Sequence, residues 1–420
     1  APGAGGALRP TAVFIHGGGY FSGGADYVVA SGLGSLYDGE SLAGQGVCVV
    51  TFNYRLGALG WAGHSALGSR TNFGLADQQA ALRFVRSNAA SFGCDPGNVS
   101  LFGESAGAWS TFAHLTAPGS RGLFRRALME SGTALAFGLT SLEAAHGLGS
   151  RVEQALGCAT AADPLACIRS KDAQAVQDAL PPNVSVFFGG NTIFLPVVDG
   201  VLVPLDSGAA VADPGIPLNA DTVVMGTNRN EGNLFLVTLL GLEKRLSQQE
   251  AGALANQTLS RFYGPEQVAH VLDFYDASKF GGDAFVALAE LIGDLVMVCG
   301  ARSSARALAA RGGEVSVRLY EFAHMLRVEH LPLVGRLGVF HGSELAWVFD
   351  APRPLPETLF TPAERALSRR MQALWTGFFK TGAMPAEWPA YDAAGDQLLQ
   401  LDVTEQVRAG FKKEACDFWE

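Results

Sequence analysis

The stretch NVSLFGESAGAWS, residues 98–110, constrains this chain more than any other. Val99, Leu101 and Phe102 form a short apolar run, as a buried parallel strand requires. Gly103-Glu104-Ser105-Ala106-Gly107 follows at once, and then a helix-compatible stretch with Ala108, Trp109, Thr111, Phe112 and Leu115. Strand, G-x-S-x-G and helix in that order make a turn so tight that its central serine is strained. Glycines two before and two after it let strand and helix approach. Such a turn lifts the Ser105 hydroxyl above a sheet, at a helix N-terminus where developing negative charge is favoured. The pattern alone is weak in a chain with 52 glycines in 420 residues, and Gly39-Glu40-Ser41 nearly repeats it. The rest of the chain supplies the context.

Hydrophobic residues make up 48% of the chain and charged ones 17%, so a large core is available. A net charge of −10 argues against nucleic acid and against anionic membrane surfaces as partners. No apolar run reads as long enough to span a bilayer. The opening APGAGGALRP has neither the basic start nor the apolar core of a signal peptide, and reads as the start of a processed, truncated or engineered chain.

Thr11–Ile15, Val47–Tyr54, Arg126–Met129, Asp221–Gly226 and Glu314–Phe322 read as strands beside the elbow strand, the last of them closing the series. Leu75–Phe92 reads as a helix with Leu75, Leu82, Val85, Ala89 and Phe92 on one face. Helix-rich stretches follow from 133 to 220 and from 243 to 310. Strands alternating with helices imply a mostly parallel α/β sheet, with the breaks as insertions above it. Residues 1–420 are therefore expected to form one domain. Cys158 and Cys167 bracket a short loop that a disulfide could close, and a Cys299–Cys416 bridge would tie the C-terminus to the body. Cys48, inside VCVV, is most simply a buried thiol, and Cys94, in a turn, has no assigned role. Two such bridges favour an extracellular or otherwise extracytoplasmic setting.

A serine hydroxyl becomes a nucleophile only beside a base, and the base must be held in one tautomer. When an elbow serine leads, the acid and then the histidine follow along the chain. His341, in a VFHGSE loop after the last expected strand, fits the base. His324 at an apolar strand end reads as structural, His270 in a helical pattern as surface or packing, and His330 has nothing to distinguish it. Glu231, in GTNRNEG directly after DTVVMG, fits the acid; its alternative is an ordinary surface glutamate. HGGGY at a strand end can turn backbone N–H groups toward an oxyanion, because glycine puts no Cβ in the way.

Together these segments resemble the type-B carboxylesterase/cholinesterase family of α/β-hydrolases. The resemblance runs through FIHGGGYFSG, TFNYRLGALG, the long stretch from NFGLADQQ to the elbow, FRRALMESG, LPVVDG, GTNRNEG, VFHGSEL and the terminal CDFW. It implies an α/β-hydrolase fold, with a mostly parallel sheet flanked by helices and helical insertions forming a gorge over the site. It implies Ser105 as nucleophile, Glu231 as acid, His341 as base, and the amides of Gly18, Gly19 and Ala106 as oxyanion donors. Glu104 and Ser131 match residues lining the family's site, Arg55 and Asp77 a structural ion pair, and Cys158–Cys167 and Cys299–Cys416 two of its disulfides.

Departures refine the expectation. Gly190 and Thr192 stand where cholinesterases carry two acyl-pocket phenylalanines, which implies a wider pocket. Leu234, followed by Phe235, stands where a cholinesterase places an aromatic for choline. Family members also carry a segment ahead of the HGGG strand, so a sheet without those first strands is expected. The resemblance thus implies a general carboxylesterase of the bacterial p-nitrobenzyl-esterase type. It would act through an acyl-enzyme on small to medium esters, with no metal or cofactor. The alternatives are a thioesterase or amidase using the same residues, or a non-catalytic adhesion relative.

Overall fold

Side chains on successive strand positions alternate between two buried faces, and this builds a sheet covered on both sides. The computed structural model describes residues 6–28, 31, 33–134, 138–180, 194–326 and 335–419. Its main sheet contains β1 (Arg9–Ile15), β2 (Cys48–Thr51), β3 (Cys94–Glu104), β4 (Arg126–Glu130), β5 (Thr222–Asn228), β6 (Ser316–Phe322), β7 (Gln397–Leu401) and β8 (Gln406–Ala409). Across the sheet the order is β8-β7-β6-β5-β4-β3-β1-β2. Every neighbouring pair is parallel except β7 with β8.

In β1, Val13 and Ile15 enter one core while Ala12 and Phe14 enter the other; in β3, Leu101 and Phe102 part in the same way. The first core is covered by α1 (Phe73–Asn88), α2 (Ala106–His114), α3 (Glu231–Leu240), α4 (Gln248–Leu259), α5 (Ala284–Gly293) and α6 (Cys299–Ala309). The second is closed by α7 (Pro362–Thr381), whose Leu367, Met371, Leu374, Trp375 and Phe378 recur at helical spacing. Thr361 and Glu364 form a capping box at its start, with Pro362 in the first turn. A short helix, α8 (Lys413–Trp419), ends the described chain.

Several boundaries differ from the sequence reading. The stretch 47–54 yields only four strand residues, and β6 is not the last strand. β8 is exposed at every position, so it carries no apolar alternation to find. The helix read as 75–92 is α1 followed by a 3-10 turn, Ala89–Phe92, which ends at left-handed Gly93. The run Ala284–Ala309 is long and apolar enough to cross a membrane, contrary to expectation, but 89% of its apolar window is packed inside the protein. It is a core helix here.

Three disulfides join Cys48–Cys94, Cys158–Cys167 and Cys299–Cys416. The first corrects the reading of Cys48 as a free thiol and of Cys94 as a turn residue. β2 and β3 flank β1, with Cys48 opposite Thr11 and Cys94 opposite Arg9. Two strands distant in sequence therefore bring these cysteines to Cα positions 5.8 Å apart. Arg55 grips Asp77 with two hydrogen bonds of 2.7 and 2.8 Å.

Candidate active site

β3 runs straight into Ser105 and α2 leaves it, so the serine occupies the sharp turn at the sheet's C-terminal edge. Its backbone lies at φ 56°, ψ −123°, a conformation that costs a non-glycine residue on the order of 1–3 kcal/mol. The flanking glycines have a direct steric reason. A Cβ on Gly107 would fall 1.9 Å from the Ile15 carbonyl oxygen, and one on Gly103 would fall 2.5 Å from the Gly107 backbone. The Ser105 N–H donates to the Glu130 carbonyl at 2.9 Å, which fixes the turn against β4.

Glu231 opens α3 just beyond β5 and is buried. Its Oε1 accepts from the Ser131 hydroxyl at 2.5 Å and from the Asn228 N–H at 2.6 Å. Its Oε2 faces His341 Nδ1 at 2.7 Å. The loop that carries His341 is stitched to the β5–α3 loop: Asn228 Nδ2 donates to the Phe340 carbonyl at 2.8 Å, and the Asn230 N–H to that of Val339 at 2.9 Å. These ties hold one imidazole nitrogen on a carboxylate. The other, Nε2, is buried, lies 3.3 Å from Glu104 Oε1 and has no hydrogen-bond partner among the described residues.

The HGGG segment follows β1, with Gly18 at φ 107° and Gly19 at φ 60°. Among the described residues no hydrogen bond uses the N–H of Gly18, Gly19 or Ala106, the last being at the start of α2. Three backbone donors are thus left for a ligand. The neighbouring His16 is stacked on Tyr54, whose hydroxyl donates to the His16 carbonyl at 2.9 Å.

A cavity of about 530 Å³ joins these parts; Gly18, Gly19, Glu104, Ser105, Leu234, Phe235 and His341 all line it. Its walls are otherwise mostly apolar, with Phe21, Trp109, Phe194, Leu195, Phe262 and Leu295 among them. Among the described residues, none that lines it is lysine or arginine. Gly190, Thr192 and His330 lie outside the described residues. His324 sits apart from the cavity, between Asp402 at 2.7 Å and Glu364 at 3.1 Å, and His270 stacks near Phe418.

Two further carboxyls beside the cavity, those of Glu130 and Glu344, were not singled out by the sequence reading. With Glu104 and Glu231 they form a group of four buried carboxyls that act on one another, and Glu104 and Glu231 also face His341. Burial pushes Glu130 up to about 8, with Glu104 adding to the rise and a hydrogen bond from Trp375 Nε1 opposing it. Burial likewise raises Glu344, and Glu104, Glu130 and Glu231 push in the same direction. Glu104 rises through burial, opposed by His341. For His341 burial works against the charged form, but Glu104 and Glu231 outweigh it and raise the imidazole above its ordinary value. Glu344 follows His341 by three residues in HGSE, a proximity that could have marked it. Nothing in RALME distinguishes Glu130 from an exposed strand end.

A mostly parallel sheet in this order, with a strained serine between β3 and α2, defines an α/β-hydrolase. Comparison with known proteins narrows the class. Residues 3–419 match the profile of the Carboxylesterase family. The chain is also 32% identical, over 442 aligned positions, to the acetylcholinesterase of Bungarus fasciatus, an alignment covering 98% of this chain and 68% of that protein. The chain belongs to the carboxylesterase family, a family of serine ester hydrolases.

Proposed function

We propose that this protein is a carboxylesterase in which Ser105, His341 and Glu231 act as a catalytic triad on uncharged, apolar esters. The observation that carries the reading is the 2.7 Å contact between His341 Nδ1 and Glu231, beside a strained Ser105 on the same cavity. Glu231 keeps the imidazole proton on Nδ1, so Nε2 is the base. Nε2 takes the Ser105 proton as Oγ bonds to the ester carbonyl carbon. The carbonyl oxygen becomes an oxyanion held by the N–H groups of Gly18, Gly19 and Ala106. The C–O bond to the alcohol then breaks, and His341 returns its proton to the departing oxygen. Water attacks the acyl-enzyme, His341 accepts a proton from it, and the carboxylic acid leaves with Ser105 regenerated.

The walls support the substrate class. At roughly 30 Å³ per small group, the cavity has room for on the order of 15–20 non-hydrogen atoms. Among the described residues its lining has no lysine or arginine to offer a counter-charge to an anionic ester or an acyl carrier's phosphates. Leu234 itself supplies no π-face where it lines the cavity, so a choline cation would have to use other rings such as Phe235 or Trp109. The small Gly190 and Thr192 go with a wide acyl pocket. We read residues 1–420 as one domain, because one sheet takes strands from Arg9 to Ala409. Three disulfides support an extracytoplasmic setting.

Turnover of p-nitrophenyl acetate, butyrate and octanoate, set against acetylthiocholine and a matched p-nitroanilide, tests this reading. Uncharged esters should be preferred over the choline thioester by at least about tenfold in kcat/KM. A clear preference for the anilide or the thioester overturns it.

A further inference from the structure

The helical run Ala284–Ala309 changes geometry midway: α5 gives way to a π turn, Asp294–Val298, before resuming as α6. A π turn takes up an extra residue and so rotates everything beyond it relative to a continuous α-helix. Ile292, Leu295 and Val296 of this run line the cavity. Other residues of it meet the C-terminal segment 411–419, Arg306 among them through Asp417 at 3.1 Å. Glu290 and Asp294 meet Lys412, Cys299 is bonded to Cys416, and Arg302 pairs with Asp417.

At about 100° per residue, an unbroken α-helix would carry Cys299 about 180° away from Glu290. With one residue absorbed in the π turn, Glu290, Asp294, Cys299 and Arg302 fall within about 80° of one another, while the cavity-lining Ile292 and Val296 project from the opposite side and Leu295 from the flank. The segment thus grips the run on one side while Ile292 and Val296 face the cavity on the other.

Lys412 is at the centre of that grip. Its ammonium hydrogen-bonds Glu290 and lies 3.0 Å from Asp294 Oδ1. Asp294 is 2% exposed, and its Oδ2 accepts from the Tyr275 hydroxyl at 3.0 Å, which in turn accepts from Trp419 Nε1 at 3.0 Å. Burial raises the Asp294 carboxyl to about 6 even with Lys412 beside it. Without the ammonium, two neighbouring carboxyls would be left with no cation, and the turn carrying them is what can move.

We propose that segment 411–419 positions the cavity wall: Lys412, seated between Glu290 and Asp294, holds the π turn at the register that presents Leu295 and Val296 to the substrate, and so sets the size of ester accepted. This rests on the esterase reading above. Lys412 is a positioning residue, acting through the helix.

The test compares kcat and KM for p-nitrophenyl acetate and octanoate in the wild type, Lys412→Met, Lys412→Arg and Asp294→Asn. Lys412→Met should lower the octanoate-to-acetate ratio of kcat/KM at least fivefold, through the octanoate KM, with kcat on acetate within twofold. Lys412→Arg should restore most of the ratio. Asp294→Asn, which keeps an acceptor for Tyr275, should shift it in the same direction and decides the matter if Lys412→Met does not fold. An unchanged ratio in the folded variants, or equal loss on both esters, overturns the proposal. A wild type that turns over neither ester overturns the esterase reading instead.

Discussion

Glu104 Oε1 stands 3.3 Å from His341 Nε2, across the imidazole from the Glu231 oxygen that meets Nδ1. The residue preceding the proposed nucleophile thus faces the nitrogen proposed to accept its proton. An imidazolium formed there lies between two carboxyls in a buried site, where charge interactions are strong.

This arrangement has a pH consequence. Only neutral His341 can accept a proton, and Glu104 and Glu231 raise its proton affinity against the opposing effect of burial. Activity should therefore fall on acidification through a midpoint above the ordinary histidine value of 6.5. Glu104→Gln removes one of the two raising charges, so the acid limb of kcat/KM should move to lower pH. A limb that stays in place would show that Glu104 does not act on His341.

The carboxylate on Nδ1 should matter more than its own supports. Glu231→Gln offers an amide where the imidazole N–H needs an acceptor, and kcat should fall on the order of 10³–10⁴-fold with the fold intact. Ser131→Ala removes one of two donors to Glu231 Oε1 and leaves the Asn228 N–H, so a loss of about 3–10-fold is expected. Steady-state kinetics on one ester, with circular dichroism as the folding control, separates the two.

Glu130 should reveal itself in stability. Burial holds its folded-state carboxyl up at about 8 against an ordinary 4.5, so the native protein keeps a proton that the unfolded chain releases. The contribution is complete below about pH 4.5 and is lost as pH rises through about 8. Glu130→Gln does not titrate and can still accept from Trp375. Its Tm should exceed that of the wild type by about 2–4 °C at pH 9, with the gap closing below pH 4.5. A gap that is constant with pH would contradict this.

The elbow makes a steric prediction. Gly107→Ala would drive a methyl to 1.9 Å from the Ile15 carbonyl oxygen, backbone against backbone, so strand and helix must separate. Soluble expression or Tm should drop sharply, and a folded variant with full activity would show that the turn is looser than described.

What was legible in the sequence is what local order determines. G-E-S-A-G after an apolar run, GTNRNEG after a strand and VFHGSE in a loop beyond the last expected strand are local signals, and they pointed to Ser105, Glu231 and His341, as HGGG at a strand end pointed to Gly18 and Gly19. What was not legible depends on distant segments meeting. Cys48 and Cys94 pair only because β1 brings β2 and β3 to either side of it. Glu130 becomes a buried acid only because Trp375, far along the chain on α7, closes over it. β8 is an exposed edge with no pattern to read. The π turn at Asp294–Val298 lies in a mostly apolar stretch, where a change of helical period leaves no mark in composition.

The most direct measurement is intact mass after treatment with a fluorophosphonate, on the wild type and on Ser105→Ala. The account predicts one covalent adduct on the wild type and none on the folded variant, because the proposed base, acid and oxyanion donors serve that hydroxyl alone. A folded wild-type protein that takes up no adduct, or an adduct that persists in Ser105→Ala, would contradict the assignment of Ser105 as the nucleophile.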